Sequence, residues 1–163
     1  MRGLRILRSD TDRRLMSLVG NMLTLYGYGK VDARVEEDDG RLSVEVRTRR
    51  GRPDLHVVAD LRGKPADLPP GSPFASLKDA RRYAGPLPFT FGYEKETHSL
   101  IVVRGVRSQW DPQPVNVDVR ALAFLESPPF GEAGAILANA FHMRGVPYRW
   151  ERGVRHQLPE ILT

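Results

Sequence analysis

Arg104 lies in the run SLIVVRGVR, where it alternates with Leu100, Val102 and Val106. A β-strand places such positions on one face. A guanidinium in an apolar row must be paired or must hold an anion, because an unpaired buried charge costs several kcal/mol. One partner of the right chemistry is a ligand carboxylate, which the planar Arg fork can grip. The plainer partner is internal, Asp118 or Glu94. His56 alternates with Asp54 and Asp60. That spacing suits a carboxylate-oriented imidazole, and equally suits a solvated strand face. Arg47, Arg49, Arg50 and Arg52 crowd one turn, RTRRGRP, which could meet phosphates. The turn lacks the interleaved aromatics that single-strand binders stack on, so nucleic acid is the weaker reading.

Other chemistries find no support in the sequence. There is no Cys, hence no thiolate nucleophile, disulfide or Cys-ligated zinc. No pair of His or Glu residues has metal-ligand spacing, so neither metal nor cofactor is expected. No Gly-rich phosphate loop follows a strand, and no G-x-S-x-G elbow occurs.

The 163 residues suit one domain, and a single β domain over 1–163 is expected. Net charge is +5, carried by Arg far more than by Lys. That permits a polyanionic partner without dictating one. No apolar run is long enough for a signal peptide or a membrane span, which points to a cytoplasmic protein.

The elements that must position these residues are mostly strands. Leu4–Leu7 is a short apolar piece of strand character. Leu15, Leu18, Val19, Met22 and Tyr26 have helical spacing, which predicts a helix over Asp12–Leu25 with this stripe in the core and Ser9 or Asp10 as its cap. From Lys30 the period is two. Three meander strands follow, the first two joined by a hairpin turn at Asp38–Gly40. Ser76 caps a second helix, ending near Ala84. Phe89, Phe91 and Tyr93 share one strand face. Leu100–Val106 is apolar on both faces, as a mid-sheet strand is. Val115, Val117 and Val119 open another strand, extending to Leu125. The later segment through Trp150 reads as one long strand kinked at Gly145 or Pro147, with a turn at Glu151–Gly153.

Six stretches, LRSDTD, GNMLTLY, DLHVVADL, SPFASLKDARRYAGPLPFTFGYE, VRGVRSQWDPQPVNV and LANAFHMRGVPYRW, span nearly the whole chain. In them the sequence resembles a bacterial family, itself without an assigned reaction, whose members look like relatives of acetoacetate decarboxylase. The resemblance implies a mainly antiparallel β fold: a curved sheet or partial cone-like barrel around a cavity, with two short outer helices. It implies a small organic ligand inside, an acidic one if Arg104 clamps it. With the placement of Arg104, it makes Tyr93, Arg104, His142, Arg144, Tyr148 and Trp150 the candidate ligand-binding residues. Decarboxylases of that fold use a lysine Schiff base tuned by a neighbouring lysine. Only Lys30, Lys64, Lys78 and Lys95 occur here and none is paired, so that reaction is not expected. Longer members carry extra strands ahead of the segment matching Leu4–Asp12, which leads us to expect a homodimer through an edge strand. The functions in play are a small-ligand binder or an enzyme of unknown reaction, a nucleic-acid-binding module, and a structural or partner-binding protein.

Overall fold

Period-two alternation organises most of the chain. A computed structural model describes residues 3–6, 8–24, 26–48, 53–65, 67–83, 87–126, 130–131 and 135–159, the side chain of Leu23 excepted. The elements in order are β1 (Gly3–Arg5), β2 (Asp10–Thr11), α1 (Arg14–Thr24), β3 (Gly29–Lys30), β4 (Asp32–Asp38), β5 (Arg41–Arg47), β6 (Pro53–Asp60) and α2 (Leu77–Tyr83). They continue with β7 (Phe89–Glu94), β8 (Ser99–Arg107), β9 (Gln113–Pro114), β10 (Asn116–Ala121), a 3-10 turn (Ala123–Glu126), β11 (Phe141–His142), β12 (Tyr148–Trp150) and β13 (Val154–Gln157). The fold is mainly β with two α-helices, as expected. The sheets stay open among the described residues, so of the two expected forms it is the open sheet and not a barrel that they show. The chain divides into two compact units.

The first unit takes Met1–Lys30, Pro86–Trp110 and Val146–Thr163. Its sheet runs β1-β7-β8-β12, with β13 also on β8. β1 lies parallel to β7; the other pairs are antiparallel. β8 is therefore the mid-sheet strand that its apolar run predicted. Its odd-numbered residues point into the core. Val103 and Ser99 are fully buried, and Ile101 nearly so. Tyr26 completes this core, with Ile6, Tyr28 and Trp150 packed against it. The Tyr26 hydroxyl hydrogen-bonds the Thr90 hydroxyl, satisfying both polar atoms inside.

Helix α1 is inside out relative to expectation. Ser17 and Asn21 donate side-chain hydrogen bonds to the Tyr28 carbonyl (3.4 and 3.5 Å), and Asn21 Oδ1 accepts from the Tyr28 N–H. Gly20 lies against the Tyr28 ring so closely that a Cβ would fall 2.5 Å from it. These contacts turn the polar, small face inward. Leu15, Leu18 and Met22, expected in the core, are exposed, and Val19 is just so. The cap also differs: Thr11 Oγ1 accepts from the Arg13 N–H at 3.2 Å, a turn that leads into the helix.

The second unit takes Val31–Gly85 and Asp111–Gly145. Its antiparallel sheet has the order β10-β6-β5-β4. The hairpin between β4 and β5 turns at Asp39 and Gly40, with φ of 41° and 70°. Two consecutive positive φ values make the primed turn that matches strand twist. Ser76 caps α2 as expected, its Oγ accepting from the Asp79 N–H at 3.1 Å and donating to the Asp79 carboxylate. Beyond Ala121 the strand does not reach Leu125, because the chain enters the 3-10 turn. The long kinked strand is also corrected. Residues 135–140 are irregular, Phe141–His142 pairs with β9, and past Gly145 the short strand Tyr148–Trp150 pairs separately with β8. The run AILANA has no β-branched alternation to sustain a ladder.

Val103→Ala empties a fully enclosed site and should cost about 2–3 kcal/mol in urea denaturation. Val35→Ala, at a position 64% exposed, should cost under about 1 kcal/mol. Equal losses would show that the β8 face does not form the core.

Candidate functional site

Arg104 is where the sequence reading most needs correction. It does share a face with Leu100, Val102 and Val106, but that is the more open face of β8, and its side chain is 56% exposed. The premise of a buried charge fails. Its partner is neither Asp118 nor Glu94 but Glu151, at 3.6 Å. Asp118 is held by Arg120, and Glu94 by Arg155.

A more distinctive cation lies three residues on. Arg107 ends β8, and its guanidinium carbon sits 4.7 Å from the Trp110 ring centroid and 5.1 Å from that of Tyr148. Both distances are within cation–π range. The register that creates this is local: β12 is antiparallel to β8 with Tyr148 opposite Arg107 and Trp150 opposite Gly105. Gly105 lets the phenol lean over the strand, since a Cβ there would meet the Tyr148 hydroxyl at 2.6 Å. Tyr148 and Trp150 stack edge to face at 4.5 Å, and Trp150 in turn meets Tyr26 at 5.8 Å. Among the described residues no carboxylate pairs with Arg107.

Beside this cluster a groove of about 310 Å³ is lined by Pro88 and by residues 104–110. The Arg107 guanidinium and the Trp110 indole thus stand beside a space that Arg104, Ser108 and Gln109 also border. Burial pushes the Tyr148 hydroxyl above the usual phenol range, against a hydrogen bond from Arg107 that pulls it down. The phenol is therefore neutral at physiological pH and does not neutralise Arg107. Trp110 Nε1 is buried without an acceptor. Arrangements of this kind hold anions with a flat apolar body: a planar cation supplies paired donors, and ring faces supply the stack.

The other candidates divide. Trp150 and Tyr148 belong to the cluster. Tyr93 is on β7 opposite Leu100, whereas Phe89 faces Arg104. Four residues along a strand is about 13 Å, so Tyr93 stands apart, its hydroxyl 3.4 Å from His98 Nδ1. His142 and Arg144 fall in the second unit, where His142 pairs across from Gln113 and Arg144 bonds Glu37. Lys95 lies in the exposed turn between β7 and β8. Of the basic tip, Arg49, Arg50 and Arg52 lie outside the described residues, and Arg47 bonds Glu45.

His56 does not meet Asp54 and Asp60 as partners of an oriented imidazole. Its Nε2 is 3.4 Å from Ser43 Oγ and its Nδ1 3.9 Å from Glu45. By residue type this is a nucleophile, base and acid. Both contacts are long for a proton relay, and Glu45 gives its shorter contact to Arg47, which holds the carboxyl below its usual range. We read it as a cross-strand polar network. Among the described residues no three His, Asp or Glu side chains gather as a metal site requires.

Arg107 and Trp110 were missed in the sequence. The signal was RSQW, an Arg closing a strand with Trp three positions later, read only as a corner. No protein family, no curated protein and no solved structure matches this chain.

Trp110→Phe keeps a ring under Arg107 and removes an unsatisfied donor, so stability should hold within about 1 kcal/mol. Trp110→Ala loses the stack and should cost about 3 kcal/mol; similar values for both would deny the ring its role. A pH series gives a second check. Burial raises the folded-state hydroxyls of Tyr26 and Tyr148 above the ordinary value of 10.0. Their contribution is fully present below that value and is lost as pH rises through the folded-state values. Alkaline unfolding should therefore begin above pH 10.0, and Tyr148→Phe should flatten it; an unchanged alkaline limb would refute the assignment.

Proposed function

We propose that the chain binds a small organic acid whose carboxylate meets Arg107 and whose flat body lies along Trp110 and Tyr148. The observation that carries this is a planar cation held over two aromatic rings, without a carboxylate partner among the described residues, beside a groove of about 310 Å³. Arg104 also borders the groove, but its side chain leaves the other face of β8, where Glu151 lies 3.6 Å from it. Paired N–H donors and a ring face together select an aromatic or unsaturated carboxylate over a small aliphatic one. The site lies at the end of β8, on the face that Val103 buries further along the strand, and does not require the enclosed cavity of a barrel. We propose binding without assigning a reaction. Kinship with the acetoacetate decarboxylase-like family belongs to the same reading and rests on the sequence stretches that suggested it. The intracellular, reducing setting is proposed on the lack of Cys.

Thermal-shift and NMR titrations with benzoate, indole-3-acetate, acetate and phosphate test this directly. Aromatic acids should bind, moving the Trp110 indole resonance, and acetate and phosphate should be far weaker. Arg107→Lys keeps the charge but loses the planar fork. It should weaken binding about tenfold or more, the worth of a charged hydrogen bond. An Arg107→Lys protein that binds benzoate as tightly as the parent would sink the proposal. Retention of a single-stranded oligonucleotide that falls steeply with salt and is lost in the same variant would replace it with the nucleic-acid reading.

A further inference from the structure

The exposed face of α1 is an ordered apolar crest. Leu15, Leu18 and Met22 are 73%, 70% and 76% exposed, flanked by Met16 and Val19. Their spacing, i, i+3, i+7, is that of a helix seam. The opposite face is fixed, because Ser17 and Asn21 bond the Tyr28 carbonyl and Gly20 seats the Tyr28 ring. The crest therefore cannot roll inward without breaking those contacts. Along its flank runs an apolar groove of about 360 Å³, walled by Met16, Val19, Tyr28 and Trp150 among others. A ridge and a hollow beside each other on one helix suit a two-fold interface, in which each ridge enters the other's hollow.

We propose that α1 pairs antiparallel with α1 of a second copy of this chain. Charge chooses both the partner and the direction. Arg13 and Arg14 stand at the N-terminal end, and residues 15–24 carry no charge. Antiparallel pairing brings each Arg pair to the partner helix's C-terminal carbonyls, the negative end of its dipole. Parallel pairing would set four arginines together. A membrane surface would favour basic residues along the whole helix beside the crest, whereas the two here, Arg13 and Arg14, stand at one end and residues 15–24 carry none. The edge strand that the sequence suggested as the contact is the competing assembly. That edge is β1, the strand at Leu4, where Arg5 is exposed and would meet the same charge on a second copy.

The absence of Cys makes a direct test available. The two-fold axis would pass near Leu18 and Val19, so Leu18→Cys should form a disulfide dimer readily under mild oxidation. Leu15→Cys should not pair with itself, since the two copies lie about 10 Å apart along the axis. Mixed Leu15→Cys and Met22→Cys proteins should cross-link. Analytical ultracentrifugation should find a dimer for the parent chain and a monomer for Leu18→Glu, with unchanged circular dichroism. A parent that stays monomeric across concentrations overturns the proposal. So do a dimer that survives Leu18→Glu, self-pairing of Leu15→Cys, and binding to lipid vesicles by the monomer alone.

Discussion

A strand inside a sheet must satisfy its amides and carbonyls on both edges, and β8 is the strand on which this constraint falls hardest. β7 covers one edge from Phe89 to Glu94. The other edge is shared by β12 and β13, with a bulge between them. Trp150 pairs with Gly105 and Val154 with Val102. Three residues, 151–153, therefore face two, 103–104. The extra residue does not free the ladder altogether, because the Glu151 N–H still donates to the Arg104 carbonyl at 2.9 Å. The same bulge brings the Glu151 carboxylate to Arg104. Upstream of it, Tyr148 and Trp150 keep strict alternation, so both rings fall on one face beside Arg107. Groove, stack and ion pair all descend from how one edge strand fits β8.

The basic excess looks different once partners are known. Arg8 pairs with Asp10, Arg34 with Glu36, Arg47 with Glu45, Arg62 with Asp60 and Arg120 with Asp118. Each is an i, i±2 pair; three of the five lie wholly within a strand, where period two puts both side chains on one face. Such exposed pairs add little stability. They do remove the simplest argument for a polyanion patch, since much of the arginine is matched nearby. Arg107 stands out against this habit by meeting rings instead of a carboxylate.

The strands that alternate cleanly were legible: β4, β5, β6, β7 and β8 stand close to where period two put them, and Ser76 is the cap it promised to be. Pattern could not say which face of β8 is buried, since both are apolar. Arg104 was placed on the right face and assigned the wrong environment for that reason. The stretch after Ala121 failed differently. Its helix and strand propensities are balanced, and pairing with β9 and β8, which is set far away in sequence, decides the outcome. The Arg107 cluster was hidden by the same non-locality. Tyr148 lies about forty residues from its cation, and only the register joins them.

Helix α1 shows a local rule defeated by specific polar contacts, and magnitudes say what that requires. Its stripe is amphipathic in the usual way, which favours burial of Leu15, Leu18 and Met22. Burying such a side chain fully is worth about 1.5–3 kcal/mol. A crest 70–76% exposed leaves most of that unrealised three times over. The bonds among Ser17, Asn21 and Tyr28 return about 1 kcal/mol each. The close seat of Gly20 on the Tyr28 ring adds packing that a rolled helix would lose. These terms are of similar size, so polar contacts alone hold the observed orientation only weakly. Covering the crest shifts the balance decisively, because it recovers the apolar term without giving up the polar one. An inside-out helix is thus a coherent solution for a chain whose crest meets apolar surface elsewhere, and a costly one for a chain whose crest stays in water.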